Sequence, residues 1–310
     1  RPHVEEPGGV DALVCRTRPR AGGSGLEAMR VPVQAGCSLR AASGTAADAA
    51  RRAPHERRSF SPSNPYPHSS IRYSRHMATT TAGELGTTEF RLSFTEDDKT
   101  ISPWHDIPLE AGDGCYNMVT EIPKYTKAKM EVATKEENNP IAQDMKKGKL
   151  RDYHGPIFWN YGCLPQTWED PNIEHPELKV SGDDDPLDVV EVGSASLEMG
   201  SVTAVKPIGV LAMIDDGELD WKLIAINKAD PMAAEIDDVS DLEAKMPGVV
   251  SGIREWFRWY KTPDDKPLNG FGFDEKCLPK ADAIKVIEET NEQWKALKEG
   301  KVEAGKLWLA

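Results

Sequence analysis

Apolar and polar residues alternate along four stretches in the middle of the chain, 116–122, 128–132, 205–211 and 221–226. A period of two predicts strands with one face buried. Asp113-Gly114, Gly200-Ser201 and Asp216-Gly217 separate them with turn chemistry. Further on the period lengthens. Val250, Ile253, Trp256, Phe257 and Tyr260 recur on one face of a predicted helix, and Ile284, Ile287, Trp294 and Leu297 on one face of a second. Asp282 precedes that second helix and is placed to cap it. Strands first and helices last, without βαβα alternation, predict an α+β fold rather than a doubly wound sheet. No internal repeat is present, and the folded part is expected from Thr88 onward.

The first 76 residues lack this patterning and differ in charge. They hold twelve Arg, no Lys and six acidic residues, a balance of +6 that leaves −19 for the remaining 234 residues, against −13 overall. Rich also in Ala, Ser, Gly and Pro, they read as an organellar transit peptide. The other readings are a tail with no address and translated upstream sequence. The expected organisation is therefore a leader over 1–76 and one domain over 77–310. Over the whole chain, 39% hydrophobic and 29% charged residues suit a packed core. No apolar run approaches the roughly 18–20 residues of a bilayer span, so a membrane is not an expected partner. An acidic chain repels phosphate backbones, so nucleic acid is not one either. Five cysteines without a C-x-x-C pair point away from a disulfide framework or a zinc knuckle. Cys115, Cys163 and Cys277 are expected as small core residues, and His105 as a structural, hydrogen-bonding histidine.

Phosphate loops of the G-x-x-x-x-G-K-[ST] and G-x-G-x-x-G types are missing, as are H-E-x-x-H and G-x-S-x-G. The chemistry concentrates in carboxylates. In Gly182-Asp183-Asp184-Asp185-Pro186-Leu187-Asp188, three acids stand at i, i+2 and i+5. On an extended segment Asp183 and Asp185 point the same way, and Pro186 can bring Asp188 round to them. Such oxygen-rich sets suit hard cations such as Mg²⁺. Taken alone, an acidic run is more often a solvated turn. An EF-hand does not fit, because its sixth position would be Asp188 rather than Gly and its twelfth Ser194. A second acidic set, Asp215-Asp216-Gly217-Glu218-Leu219-Asp220, reads as a hairpin tip between two strands. Two such loops converging on one rim would repel each other unless metals sat between them. Cations are also at hand: Lys129 shares a strand face with Glu131, residues 146–151 make a basic turn, and Tyr260-Lys261 ends a helix. Each is a common surface feature by itself. Together they suggest a pocket for a multiply charged phosphate.

The segment Asp183-Asp184-Asp185-Pro186-Leu187-Asp188-Val189 resembles the motif of family I soluble inorganic pyrophosphatases. The likeness runs over roughly residues 88–300 and includes 104–109, 117–131, 139–144, 146–151, 160–171, 218–222 and 255–261 in order. The long flanks are similar to the eukaryotic branch, and the short stretch after Arg151 to its plastid members.

The resemblance implies a five-stranded OB-type β-barrel with surrounding helices. It implies Mg²⁺-dependent hydrolysis of diphosphate to two phosphates by a metal-activated hydroxide, with several ions per site. Position by position, Asp183, Asp188 and Asp220 would hold the tight metal site, and Asp215 and Glu131 would complete weaker ones. Asp185 would take the proton of the attacking water. Lys129, Arg151, Tyr161, Lys222, Tyr260 and Lys261 would grip the phosphates, with Glu121 a supporting acid. No covalent intermediate is called for. The stretch 152–159 departs from the family, whose members carry a Tyr shortly before Asn160-Tyr161-Gly162; either Tyr153 replaces it or that contact is lost, and Tyr153 stands outside the expected site. The alternatives are a metal-dependent phosphomonoesterase or nucleotide hydrolase, or an inactive metal-binding relative. A monomer or homodimer in the plastid stroma is expected ahead of a mitochondrial protein, with the cytoplasm as the alternative.

Overall fold

In the computed structural model residues 77–310 are described; the expected leader over 1–76 lies outside the described residues. The strands come first: β1 (Met77–Ala82), β2 (Arg91–Glu96), β3 (Lys99–Ile101), β4 (Glu110–Gly112), β5 (Cys115–Ile122), β6 (Met130–Val132), β7 (Ile141–Gln143), β8 (Met145–Lys146), β9 (Lys149–Leu150), β10 (Asn160–Cys163), β11 (Asp188–Glu191), β12 (Val202–Asp215) and β13 (Glu218–Asn227). Helices α1 (Val239–Lys245) and α2 (Val249–Trp259) follow, then the two-residue strands β14 (Gly270–Phe271) and β15 (Leu278–Pro279) and helix α3 (Lys280–Lys298). The α+β order read from the periods is the order found.

The strands form two main sheets. The smaller runs β1-β2-β7-β6, with β3 on β2. The larger follows β12-β13-β11-β10-β5, with β4 on β5 and β14 and β15 on β12. Residues 202–205 of β12 also pair with β5, so the hydrogen-bonded path through five strands returns to its start. The register of β12 with β13 shifts between Pro207 and Gly209, between the part that pairs with β5 and the part that pairs with β14 and β15. Pro207 has no N–H to give a ladder, and such irregularities bend a strand.

The pattern predicted only 205–211 of this strand. It runs further at both ends, and 207–213 is buried throughout, so the alternation there separates two cores rather than core from solvent. Ile208, Leu211 and Met213 join a cluster with Ile253 and Phe257 of α2. Val210 and Ala212 join another with Ala283, Val286 and Ile287 of α3. Each such aliphatic or aromatic side chain contributes about 1.5–3 kcal/mol when fully buried.

At 128–132 the regular strand is only Met130–Val132, and Ala128 adds an isolated bridge to Asp152. The start of α3 also differs from expectation. It begins at Lys280, ahead of Asp282, which lies in the first turn and pairs with Lys285 at 2.7 Å. The carboxylate that meets this helix start is Asp238, which accepts from the Lys280 N–H at 3.2 Å while also capping α1. His105 is buried and structural. Its Nδ1 accepts from the Trp294 indole at 2.9 Å, which leaves Nε2–H to donate to the Trp308 carbonyl at 2.9 Å. Burial pushes its imidazole down to about 4. Cys115 and Cys163 are buried and Cys277 half-buried. Among the described residues, no helix is long and apolar enough to cross a membrane.

Candidate active site

Gly162 sets the approach of two strands that build the site. A Cβ there would lie 1.9 Å from the Val119 carbonyl oxygen, so β10 meets β5 this closely only with glycine. Across that contact Tyr161 of β10 stands opposite Ile122 of β5, and both Tyr161 and Glu121 line the cavity. On its other edge β10 pairs with β11, and β11 runs parallel to β13 with Asp188 opposite Lys222. Asp220 and Lys222 stand two residues apart on β13 and face the same side. The β12–β13 hairpin turns at Asp216-Gly217, both in the left-handed region, and brings Asp215 to the rim.

All thirteen expected site residues line one cavity of about 260 Å³. Its acids and cations interlock. Lys222 Nζ contacts Asp220, lies 2.5 Å from Asp188 Oδ2, and is 3.0 Å from the Tyr161 hydroxyl, which itself donates to Asp188. Tyr260 donates to Asp215 Oδ2 at 2.9 Å and Lys261 pairs with the same carboxylate. Lys129 lies 2.5 Å from Glu131 and 3.6 Å from Asp144, and Arg151 Nη1 lies 2.8 Å from that Asp144. Glu121, buried, accepts from the Val132 N–H at 2.7 Å.

The acidic loop reaches the cavity by a route other than the extended segment expected. Asp184 has φ +73°, so the chain turns there. Asp183 Oδ1 accepts from the Asp185 N–H at 3.1 Å and closes the turn. Asp183 and Asp185 end on the cavity side, while Asp184 points to the Trp168 indole at 3.2 Å and toward Lys135 at 3.9 Å. Local backbone, not strand alternation, separates the three.

Enclosure and crowding shift these groups. Asp185 is accessible from the cavity yet ringed by protein; that enclosure first, and Glu131 second, push its carboxyl up to about 7. Burial pushes Asp220 up to about 7 even with Lys222 pulling it down. Burial and then Asp220 raise Asp183, and burial and then Asp188 raise Glu121. Burial opposes the charge on Lys129 and Lys222, but the neighbouring acids together, Glu131 and Asp144 around the first and Asp188 and Asp220 around the second, outweigh it and hold both ammonium groups charged. An acid-rich cavity with fixed cations is built to hold hard metal ions and a phosphate-rich anion together.

The inorganic pyrophosphatase family profile matches residues 118–295. The chain belongs to the inorganic pyrophosphatase family. It is 55% identical over 218 residues to the chloroplastic soluble inorganic pyrophosphatase 1 of Chlamydomonas reinhardtii, covering 70% of this chain and 78% of that one. It is 52% identical over 229 residues to the chloroplastic soluble inorganic pyrophosphatase 6 of Arabidopsis thaliana, covering 73% and 76%. The crystal structure of the type I inorganic pyrophosphatase from Toxoplasma gondii superposes with a TM-score of 0.69 at 47% identity, over 71% of this chain and 99% of that one. By this membership the chain is an inorganic diphosphatase with a mixed, sheet-rich fold.

The pyrophosphatase cavity also holds residues the sequence reading left out. Tyr153 is buried on its wall, edge-on to Trp256 with ring centroids 4.9 Å apart and to Tyr260 at 5.8 Å. Cys163 lines it too, beyond its part in the core. Glu169 lies behind the acidic loop. It accepts from the Trp221 N–H at 3.1 Å, and one oxygen each of Glu169, Asp183 and Asp220 lie within 4.8 Å of one another. Its place in Trp168-Glu169-Asp170, an acid beside a large apolar ring, was the available signal.

Proposed function

We infer that this pyrophosphatase hydrolyses inorganic diphosphate to two phosphates with Mg²⁺ as its cofactor. The observation that carries the reading is the one cavity in which carboxylates and cations interlock. The donor set fits Mg²⁺, since one carboxylate oxygen each of Glu169, Asp183 and Asp220 lies within ion-binding reach of the others and Asp188, Asp215 and Glu131 line the same cavity. Asp183, Asp188 and Asp220 would hold the tight site, with Asp215 and Glu131 at the weaker ones. Bound there, Mg²⁺ supplies a water of lowered pKa and neutralises phosphate oxygens. Asp185 accepts the proton of the attacking water as its oxygen bonds to one phosphorus. The bond from that phosphorus to the bridging oxygen breaks, and its electron pair leaves with the departing phosphate. Lys129, Arg151, Tyr161, Lys222, Tyr260 and Lys261 orient both phosphates and take up charge on the leaving one. Glu121 supports the cavity floor. Phosphate release should be fast from diphosphate and slow from ATP, should vanish in excess EDTA, and should be inhibited by Ca²⁺, which prefers looser coordination. Full activity in EDTA, or equal rates on ATP, would overturn the reading.

The closed pairing path through β12, β13, β11, β10 and β5 supports an OB-type barrel as the finer description of the fold. The chloroplastic names of the two relatives support the plastid stroma as the compartment and residues 1–76 as its address. A 77–310 fragment should then keep the melting temperature and rate of the whole chain, and a reporter fused to 1–76 should enter the organelle rather than stay in the cytosol.

A further inference from the structure

Two separate segments bring cations to the mouth of the cavity. The β8–β9 hairpin runs directly into Arg151, and the end of α2 carries Tyr260 and Lys261. β8 and β9 pair only with each other. The segment after Arg151 meets α2 through the Trp256 indole, which donates to the Pro156 carbonyl at 3.2 Å, and through Tyr153, which packs edge-on to Trp256 and Tyr260. At the mouth one carboxylate adds a polar tie. Asp264 Oδ2 accepts from Lys146 Nζ at 2.7 Å, and its Oδ1 meets His154 Nε2 at 2.9 Å. Lys146 precedes Arg151 on the hairpin and His154 follows it, so Asp264 holds both flanks of that arginine. The Asp264 N–H in turn donates to the Lys261 carbonyl at 3.0 Å. Those two side-chain partners hold the Asp264 carboxyl down at about 2.

We propose that Asp264 is a positioning residue that fixes the spacing between Arg151 and Lys261, and so the grip on diphosphate. The proposal rests on the reading that these two cations bind the phosphates. Asp264 lies outside the cavity lining and acts only through them. Its pairs are exposed, and exposed ion pairs contribute little to stability. Orientation is far more sensitive, since a displacement on the order of 1 Å can change a rate about 10²-fold.

The test measures Asp264→Asn, Lys146→Met, the double variant and Arg151→Ala in the full-length chain with diphosphate and Mg²⁺. Asp264→Asn should raise KM about 5–20-fold while kcat changes by less than about 3-fold, a fraction of the orientation limit. Inorganic phosphate should bind correspondingly more weakly by calorimetry, with Tm moved by no more than about 2 °C. The double variant should be no worse than Asp264→Asn alone, because both changes open one clamp, and Asp264→Glu should restore part of the affinity. Unchanged KM and phosphate binding in Asp264→Asn, beside a raised KM in Arg151→Ala, would overturn the clamp alone. A large fall in Tm with kcat and KM moving together would show mere structural support and overturn it too. An unchanged KM in Arg151→Ala would overturn the grip itself, and the clamp with it.

Discussion

Asp184 and Asp185 are chain neighbours with opposite surroundings. The left-handed backbone at Asp184 sends its carboxylate to the Trp168 indole, while Asp185 opens onto the cavity beside Glu131. Replacing Asp185 by Asn should lower kcat on the order of 10²–10⁴-fold, the usual contribution of a general base. Asp183→Asn should instead weaken Mg²⁺ binding, so that added Mg²⁺ recovers part of the rate. Asp184→Asn should stay close to the parent, because an amide oxygen can still accept from the Trp168 indole. The base must be ionised to take a proton, so the parent rate should fall on the acid side and that limb should shift or vanish in Asp185→Asn. Kinetics against pH and Mg²⁺ separate these cases. Equal damage from Asp184→Asn and Asp185→Asn would defeat the assignment.

At the level of elements, the site depends on how closely strands approach. Gly162→Ala would force a methyl group onto the Val119 carbonyl, a backbone atom that cannot rotate away. The β10–β5 pair must part, and the expected cost is about 2–3 kcal/mol, toward the upper end for overpacking, read as a lowered urea midpoint. A midpoint within experimental scatter of the parent would show that β10 can shift freely. The same closeness explains what could be read from the chain. Helices with one apolar stripe announce themselves by period, as α2 does, and β5 showed a period of two although residues 118–122 are buried throughout. β12 did so only in part, because both its faces are buried in different cores. Strands of two residues, such as β8 and β9, are too short to show a period and exist through their partners. The acids and cations of the site were legible because their chemistry is concentrated in short motifs. Glu169 carried only the signal of its neighbour Trp168 and Tyr153 stayed an open alternative, since a carboxyl or a phenol acquires its part from tertiary neighbours, and Asp238 meets the start of a helix 42 residues away in sequence.

For the molecule as a whole, the packed carboxylates put function in opposition to stability. Glu121, Glu169, Asp183, Asp185 and Asp220 are all raised above their ordinary values, by burial first and by one another next. A raised carboxyl keeps its proton in the folded state after the unfolded chain has lost it. Its stabilising contribution is therefore complete below about pH 4 and is lost as pH rises through the folded values, about 7 for Asp185 and Asp220. His105 acts in the other direction. Its lowered value makes the unfolded chain take the proton first, so stability falls as pH drops from about 6.5 toward 4. The two effects overlap, but only the carboxylate one involves the metal site. On the proposed reading Mg²⁺ binds the ionised carboxylates of the folded state and must displace protons to do so at low pH. The rise in melting temperature on going from EDTA to Mg²⁺ should accordingly be large near pH 8 and small near pH 5. The His105 contribution is common to both arms and cancels in the difference. Scanning calorimetry at the two pH values, with and without Mg²⁺, measures it directly. A rise of the same size at both would mean that Mg²⁺ stabilises the fold somewhere other than among these protonated acids.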